Sequence, residues 1–192
     1  LNNLNVFYTS GNHTAIWKST DTERIRPVNT KFSFATFNDD ILMVNQTTHT
    51  LRYDIDAGSI SLIGGDPPNA KFVLIQGEYV LMANTTDQPN TIFYSDVSNV
   101  DSWPKNNQIT FQTSKGETIT GMTNARDGVK IYFDNSIWKL NFTVLSSDID
   151  GNQVPSPMFE GFGCIAPYSL TNFGDGDFFL ARDGLRLLIG GN

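Results

Sequence analysis

Along Val129–Asn141 (VKIYFDNSIWKLN), Val129, Ile131 and Phe133 alternate with Lys130 and Tyr132. Asp134-Asn135-Ser136 interrupts the pattern, and Ile137, Trp138 and Leu140 resume it around Lys139. Two short alternating runs across an Asx-rich turn predict a β-hairpin. The same plan recurs at Asn5–Lys18, Asp40–Asp54, Tyr79–Asp96 and Asp177–Gly190. Aligning the second strands puts Ile16, Leu51, Ile92, Ile137 and Leu185 in register, at separations of about 35 to 48 residues. That is the period of a propeller blade.

Four of these hairpins follow a further strand and turn. Phe32, Phe34 and Phe37 lead to Asn38-Asp39, and Lys71–Ile75 leads to Gln76-Gly77-Glu78. Thr118–Thr123 leads to Asp127-Gly128, and Ser169–Phe173 to Gly174-Asp175-Gly176. Weaker outer strands are expected at Ser59–Ile63 and Ile109–Gln112, with a breaker at Gly64-Gly65-Asp66-Pro67-Pro68 between units. Ser146–Glu160, with its Asp, Gly and two Pro, is the longest loop expected. No stretch holds apolar residues at helical spacing for three turns, so helix should be scarce.

The expectation is an all-β chain, a β-propeller of about four to five blade-like repeats of short antiparallel strands. A β-sandwich also spaces strands closely, but it requires no similarity between successive hairpins. Residues 1–192 form one propeller domain or a fragment of one, with a long loop near 146–160. Leu42, Leu81, Ile131 and Phe179 are expected on the buried central strands. The start at Leu1 and the stop at Gly190-Gly191-Asn192, directly after a strand, suggest part of a larger propeller.

Composition narrows the function. The chain is 39% apolar and 17% charged, the balance of a globular protein. A net charge of −7 argues against a surface that clamps nucleic acid, which needs clustered Lys and Arg. No apolar run approaches the roughly 20 residues of a membrane-spanning helix. Cys164 is the only cysteine, so no disulfide forms within the chain.

Chemical motifs are few. His13 and His49 fall at polar hairpin turns, where a histidine is ordinarily a solvated turn residue. Cys164 has no basic neighbour in Gly161–Pro167 and reads as a small buried hydrophobe. Asp148-Ile149-Asp150-Gly151-Asn152 looks like the start of a calcium loop. Its twelfth position, however, is Phe159 in place of the bidentate Glu, which falls one residue late at Glu160. Ser95-Asp96 and Asp101-Ser102-Trp103 faintly suggest an Asp-box, without its glycine. Sequons at Asn12, Asn45, Asn84 and Asn141 are about as many as chance supplies in so Asn- and Thr-rich a chain. No catalytic, cofactor or metal-binding residues are assigned, and the chain is not expected to be an enzyme.

Ile92–Pro104 (IFYSDVSNVDSWP), the strand Ile109–Gln112 and Glu117–Met122 (ETITGM) together resemble a stretch that recurs in phage proteins. These are the β-propeller subunits of the head–tail connector and tail nozzle of short-tailed bacteriophages, tail tubular protein B or packaged-DNA stabilisation proteins. The likeness continues in the hairpin Lys130–Leu140, in Gly163–Pro167 (GCIAP) and in Phe178–Gly184 (FFLARDG). It covers roughly residues 70 to 190, and its motifs are turn and core residues. The resemblance implies a virion structural component of the phage tail. Such a subunit assembles with itself into a ring around the DNA exit channel, with tail, adaptor or portal proteins as partners. DNA would be non-specific cargo, and no membrane would be involved. The alternative is a glycan-binding or glycan-cleaving propeller, extracellular or at a tail tip.

Overall fold

In the computed structural model, residues 31–113, 115–126, 128–141, 155–174 and 176–190 are described, with the backbone of two earlier strands. Among these residues the strands form five antiparallel sheets, each paired in sequence order. The first is the hairpin β1 (Val6–Ser10) and β2 (His13–Trp17), with Phe7 opposite Ile16. The second contains β3 (Ser33–Phe37), β4 (Asp40–Val44), β5 (Leu51–Asp54) and β6 (Ser59–Leu62). The third contains β7 (Ala70–Gln76), β8 (Tyr79–Thr85), β9 (Thr91–Tyr94) and β10 (Gln108–Thr110). The fourth contains β11 (Ile119–Ala125), β12 (Gly128–Phe133), β13 (Ser136–Asn141) and β14 (Ser156–Glu160). The fifth contains β15 (Thr171–Phe173), β16 (Gly176–Ala181) and β17 (Gly184–Ile189).

Each complete sheet is a four-stranded meander, and the first strands meet in succession: β3 packs on β7, β7 on β11, and β11 on β15. Meanders stacked radially around their first strands are the blades of a β-propeller, and the chain is part of one. Blades stack through their apolar faces. Leu42 and Val44 pack with Val80 and Met82. Tyr79, Leu81 and Ala83 pack with Val129, Ile131 and Phe133. Tyr132 and Ile137 pack with Phe179 and Ala181. A second strand is therefore buried on both faces, which explains why β8 and β12 read as almost unbroken apolar runs. Leu42, Leu81, Ile131 and Phe179 are all fully buried there.

Two expectations are corrected. The loop expected at 146–160 is shorter at its end, because Ser156–Glu160 forms β14 and pairs with β13. Pro157 is tolerated there because β14 is an edge strand, where a missing backbone donor costs no ladder bond. The register that equates Leu51 with Ile92, Ile137 and Leu185 is also wrong. Leu51 joins Phe32 and Met43 on the side of its blade facing backwards, whereas Ile92 and Ile137 face the following blade. A one-residue slip in a strand reverses the face, and the longer β4–β5 connection conceals it.

Polar side chains also stitch blades together. Asn84 donates from Nδ2 to the Ile119 carbonyl at 2.7 Å and accepts Gln46 Nε2 at 2.9 Å, joining three blades. Its backbone φ of 63° lies in the left-handed region, which Asn tolerates better than most residues. Asn84→Ala should cost about 2 kcal/mol, from the lost bonds and the conformation together. Asn84→Gly, which keeps the conformation at ease, should cost less. Equal losses in chemical denaturation would show that φ has no part in it.

Candidate interaction surface

The fifth blade has two unlike faces. Antiparallel pairing sets Phe178 opposite Leu187, Leu180 opposite Leu185, and Gly176 opposite Phe173 on one side and Ile189 on the other. Phe173, Phe178, Leu180, Leu185, Leu187 and Ile189 thus share one face, and all six are exposed, Phe173, Leu185 and Ile189 at 77%, 72% and 73%. In the second, third and fourth blades the matching face is covered by the next sheet. Among the described residues it stands open, a patch of roughly 600 Å² that is large for a surface with no partner.

The reverse face docks on the fourth blade through a buried polar cluster. Asp177 is fully buried, and its Oδ2 accepts from Lys130 Nζ at 2.5 Å, Tyr132 Oη at 2.6 Å and Thr123 Oγ1 at 2.9 Å. Asn172 Nδ2 donates to the other oxygen at 2.7 Å. Burial, and then the bond it donates to Asp177, push the Tyr132 phenol far above its ordinary range. The cluster lies buried between the two blades and fixes the orientation of the sheet that bears the open face. Nothing in the sequence pairs Lys130 with Asp177, since Lys130 enters there only as a polar position alternating with Val129 and Ile131. The available signal was a charge in the middle of an apolar second strand, a position where it must find a partner.

The motifs that carry the resemblance turn out to be packing devices. Asp101 accepts the Gly64 amide at 2.7 Å and Arg52 Nη1 at 3.2 Å, latching the third blade to the second. A Cβ on Gly65 would lie 2.1 Å from the Asp101 carbonyl, so only glycine admits the approach. Ser102 Oγ closes the loop onto Asp96, and Trp103 Nε1 donates to the Val100 carbonyl at 2.8 Å. Gly163-Cys164 carries the chain from the fourth blade to the fifth. A Cβ at Gly163 would meet the Phe133 carbonyl at 2.1 Å, and the Ile165 amide donates to Leu180 at 2.9 Å.

The individual candidates do not converge. His49 is exposed in the β4–β5 connection, and Cys164 is buried with its thiol pushed up by desolvation. The His13 side chain, Asp148 and Asp150 lie outside the described residues. Of the sequons, Asn45 and Asn84 are buried; Asn45 Oδ1 accepts the Thr48 amide, and Asn84 makes the inter-blade bonds described above. Phe32, Phe72, Gly121, Met122, Tyr168 and Leu170 line a cavity of about 220 Å³. Lys31 lies 4.5 Å from the Tyr168 ring centroid.

No family model and no curated protein matches the chain. Solved structures do. Over 98% of its length the chain is similar to the extracellular domain of BT4673 from B. thetaiotaomicron, at 10% identity and a TM-score of 0.64. It is similar to the dihydro-heme d1 dehydrogenase NirN over 97% of its length, at 14% identity and 0.59. The computationally designed Ika4 protein matches 86% of the chain and 94% of its own, at 13% identity and 0.50. The chain spans only 25% of the BT4673 domain and 41% of NirN. At these identities the likeness concerns the fold alone.

Proposed function

We propose that this chain is a structural component of a bacteriophage tail or head–tail connector, working by assembly into a ring around the DNA exit channel. The observation that carries the assembly reading is the apolar face of the fifth blade, open among the described residues and built like the faces that the preceding blades bury. Such a face calls for another sheet to cover it, either a further blade of the same propeller or a sheet of another subunit. The phage reading rests on the resemblance at Ile92–Pro104 and Gly163–Gly184, whose residues here serve inter-blade packing. A net charge of −7 favours it, since an acidic wall lets DNA pass without adhering.

The test is to assemble the protein with portal and adaptor components and image the particles. Density for the propeller at the tail is the expected result. Leu187→Glu, which changes only the open face, should abolish incorporation while leaving the circular dichroism spectrum unaltered. A chain that ignores those partners yet binds or cleaves an oligosaccharide would overturn the proposal in favour of the glycan reading.

A further inference from the structure

Glu117 lies in the connection between β10 and β11 and is 8% exposed. Its Oε2 accepts the Ser136 hydroxyl at 2.6 Å, which in turn accepts Trp138 Nε1 at 3.0 Å. Its backbone amide donates to Thr113 Oγ1 at 2.8 Å. Its other oxygen, Oε1, is buried and has no hydrogen-bond partner. A buried carboxylate oxygen left this way is costly unless something occupies the space beside it.

There is such a space. Thr113, Glu117, Asn135, Ser136, Trp138 and Glu160 enclose a cavity of about 20 Å³, enough for one water-sized particle. It adjoins a wider polar recess of about 400 Å³ that also contains Lys115, Asp134 and Arg182. Glu160 ends β14 directly across from Ser136, so the sheet register itself brings the second carboxylate to this wall. Apart from the indole, the functional groups around the small cavity are two carboxylates, two hydroxyls and an amide.

The geometry points to a binding site for one hard, oxygen-seeking cation of the calcium class between Glu117 and Glu160. Oxygen ligands without nitrogen or sulfur select such ions. Calcium accepts an irregular set of ligands completed by water, which the adjoining recess supplies, whereas magnesium demands a regular octahedron. Lys115 competes with the ion for the amide oxygen: with the Asn135 amide oriented to donate to the Gly161 carbonyl, Lys115 Nζ is 2.9 Å from its oxygen. With few charged ligands the site is weak, with an expected dissociation constant of roughly 10⁻⁴–10⁻³ M.

Terbium(III), a luminescent stand-in for calcium, reports on the site through Trp138, which forms part of its wall. Titrated into the chain, it should give sensitised emission that calcium reverses, and calcium alone should raise the melting temperature. Glu117→Gln should weaken both effects at least tenfold, Thr113→Val should weaken them less, and Lys115→Met should strengthen them. Asp150→Ala should leave them unchanged. Loss of binding in Asp150→Ala with full binding in Glu117→Gln would assign the ion to the other loop and overturn the inference. So would an unchanged melting temperature at about 10 mM calcium, well above the weakest expected affinity. Should Glu117→Gln fail to fold, Thr113→Val and Lys115→Met decide: wild-type binding in both overturns the site.

Discussion

Replacing Asp177 by Ala lowers the stability of the chain by about 3–5 kcal/mol, the cost of leaving a buried cation without its counter-ion. Lys130 is almost completely buried, so its ammonium cannot turn to water when the carboxylate is removed. Tyr132 and Thr123 lose an acceptor at the same time. For a chain of this size each kcal/mol moves the melting temperature by about 2–4 °C, so a fall on the order of 10 °C is expected. Lys130→Met combined with Asp177→Asn should recover much of the loss. The asparagine oxygen still accepts from the two hydroxyls, and no charge remains buried. A double variant as unstable as Asp177→Ala would mean that the charge is not the source of the cost.

Leu81→Ala is expected to cost about 2–5 kcal/mol in chemical denaturation with an unchanged denaturant dependence. Leu81 lies on β8 between Leu74 and Tyr94 of the flanking strands, fully buried and packed into the cluster shared by the third and fourth blades. The surrounding side chains are held by two sheets at once, so the space left by the missing carbons closes poorly. Leu187→Ala, on the open face, removes the same atoms from a surface already in water and should cost little. Similar losses at the two positions would contradict the arrangement of the blades.

Much of the architecture is legible in the sequence because it is local. Alternation at Val129–Leu140 and at Asp40–Tyr53, with Asx and Gly turns at fixed places, prescribes hairpins. Their recurrence prescribes blades, since a meander with two apolar faces must be sandwiched between others of its kind. The runs Leu42–Val44 and Tyr79–Ala83 show which strand lies in the middle for the same reason. What depends on contact between distant segments is a different matter. Proline and polarity concealed β14, because an edge strand needs half the hydrogen bonds of a central one. Leu51 could be assigned to either face, because a single residue of register decides it. Lys130 and Asp177 are 47 positions apart in sequence, and only the docking of one blade on another makes them a pair. The open face of the fifth blade and the unpartnered oxygen of Glu117 belong to the same class. Sequence determined that these side chains are apolar or acidic, but packing alone decided which of them would be left without a partner.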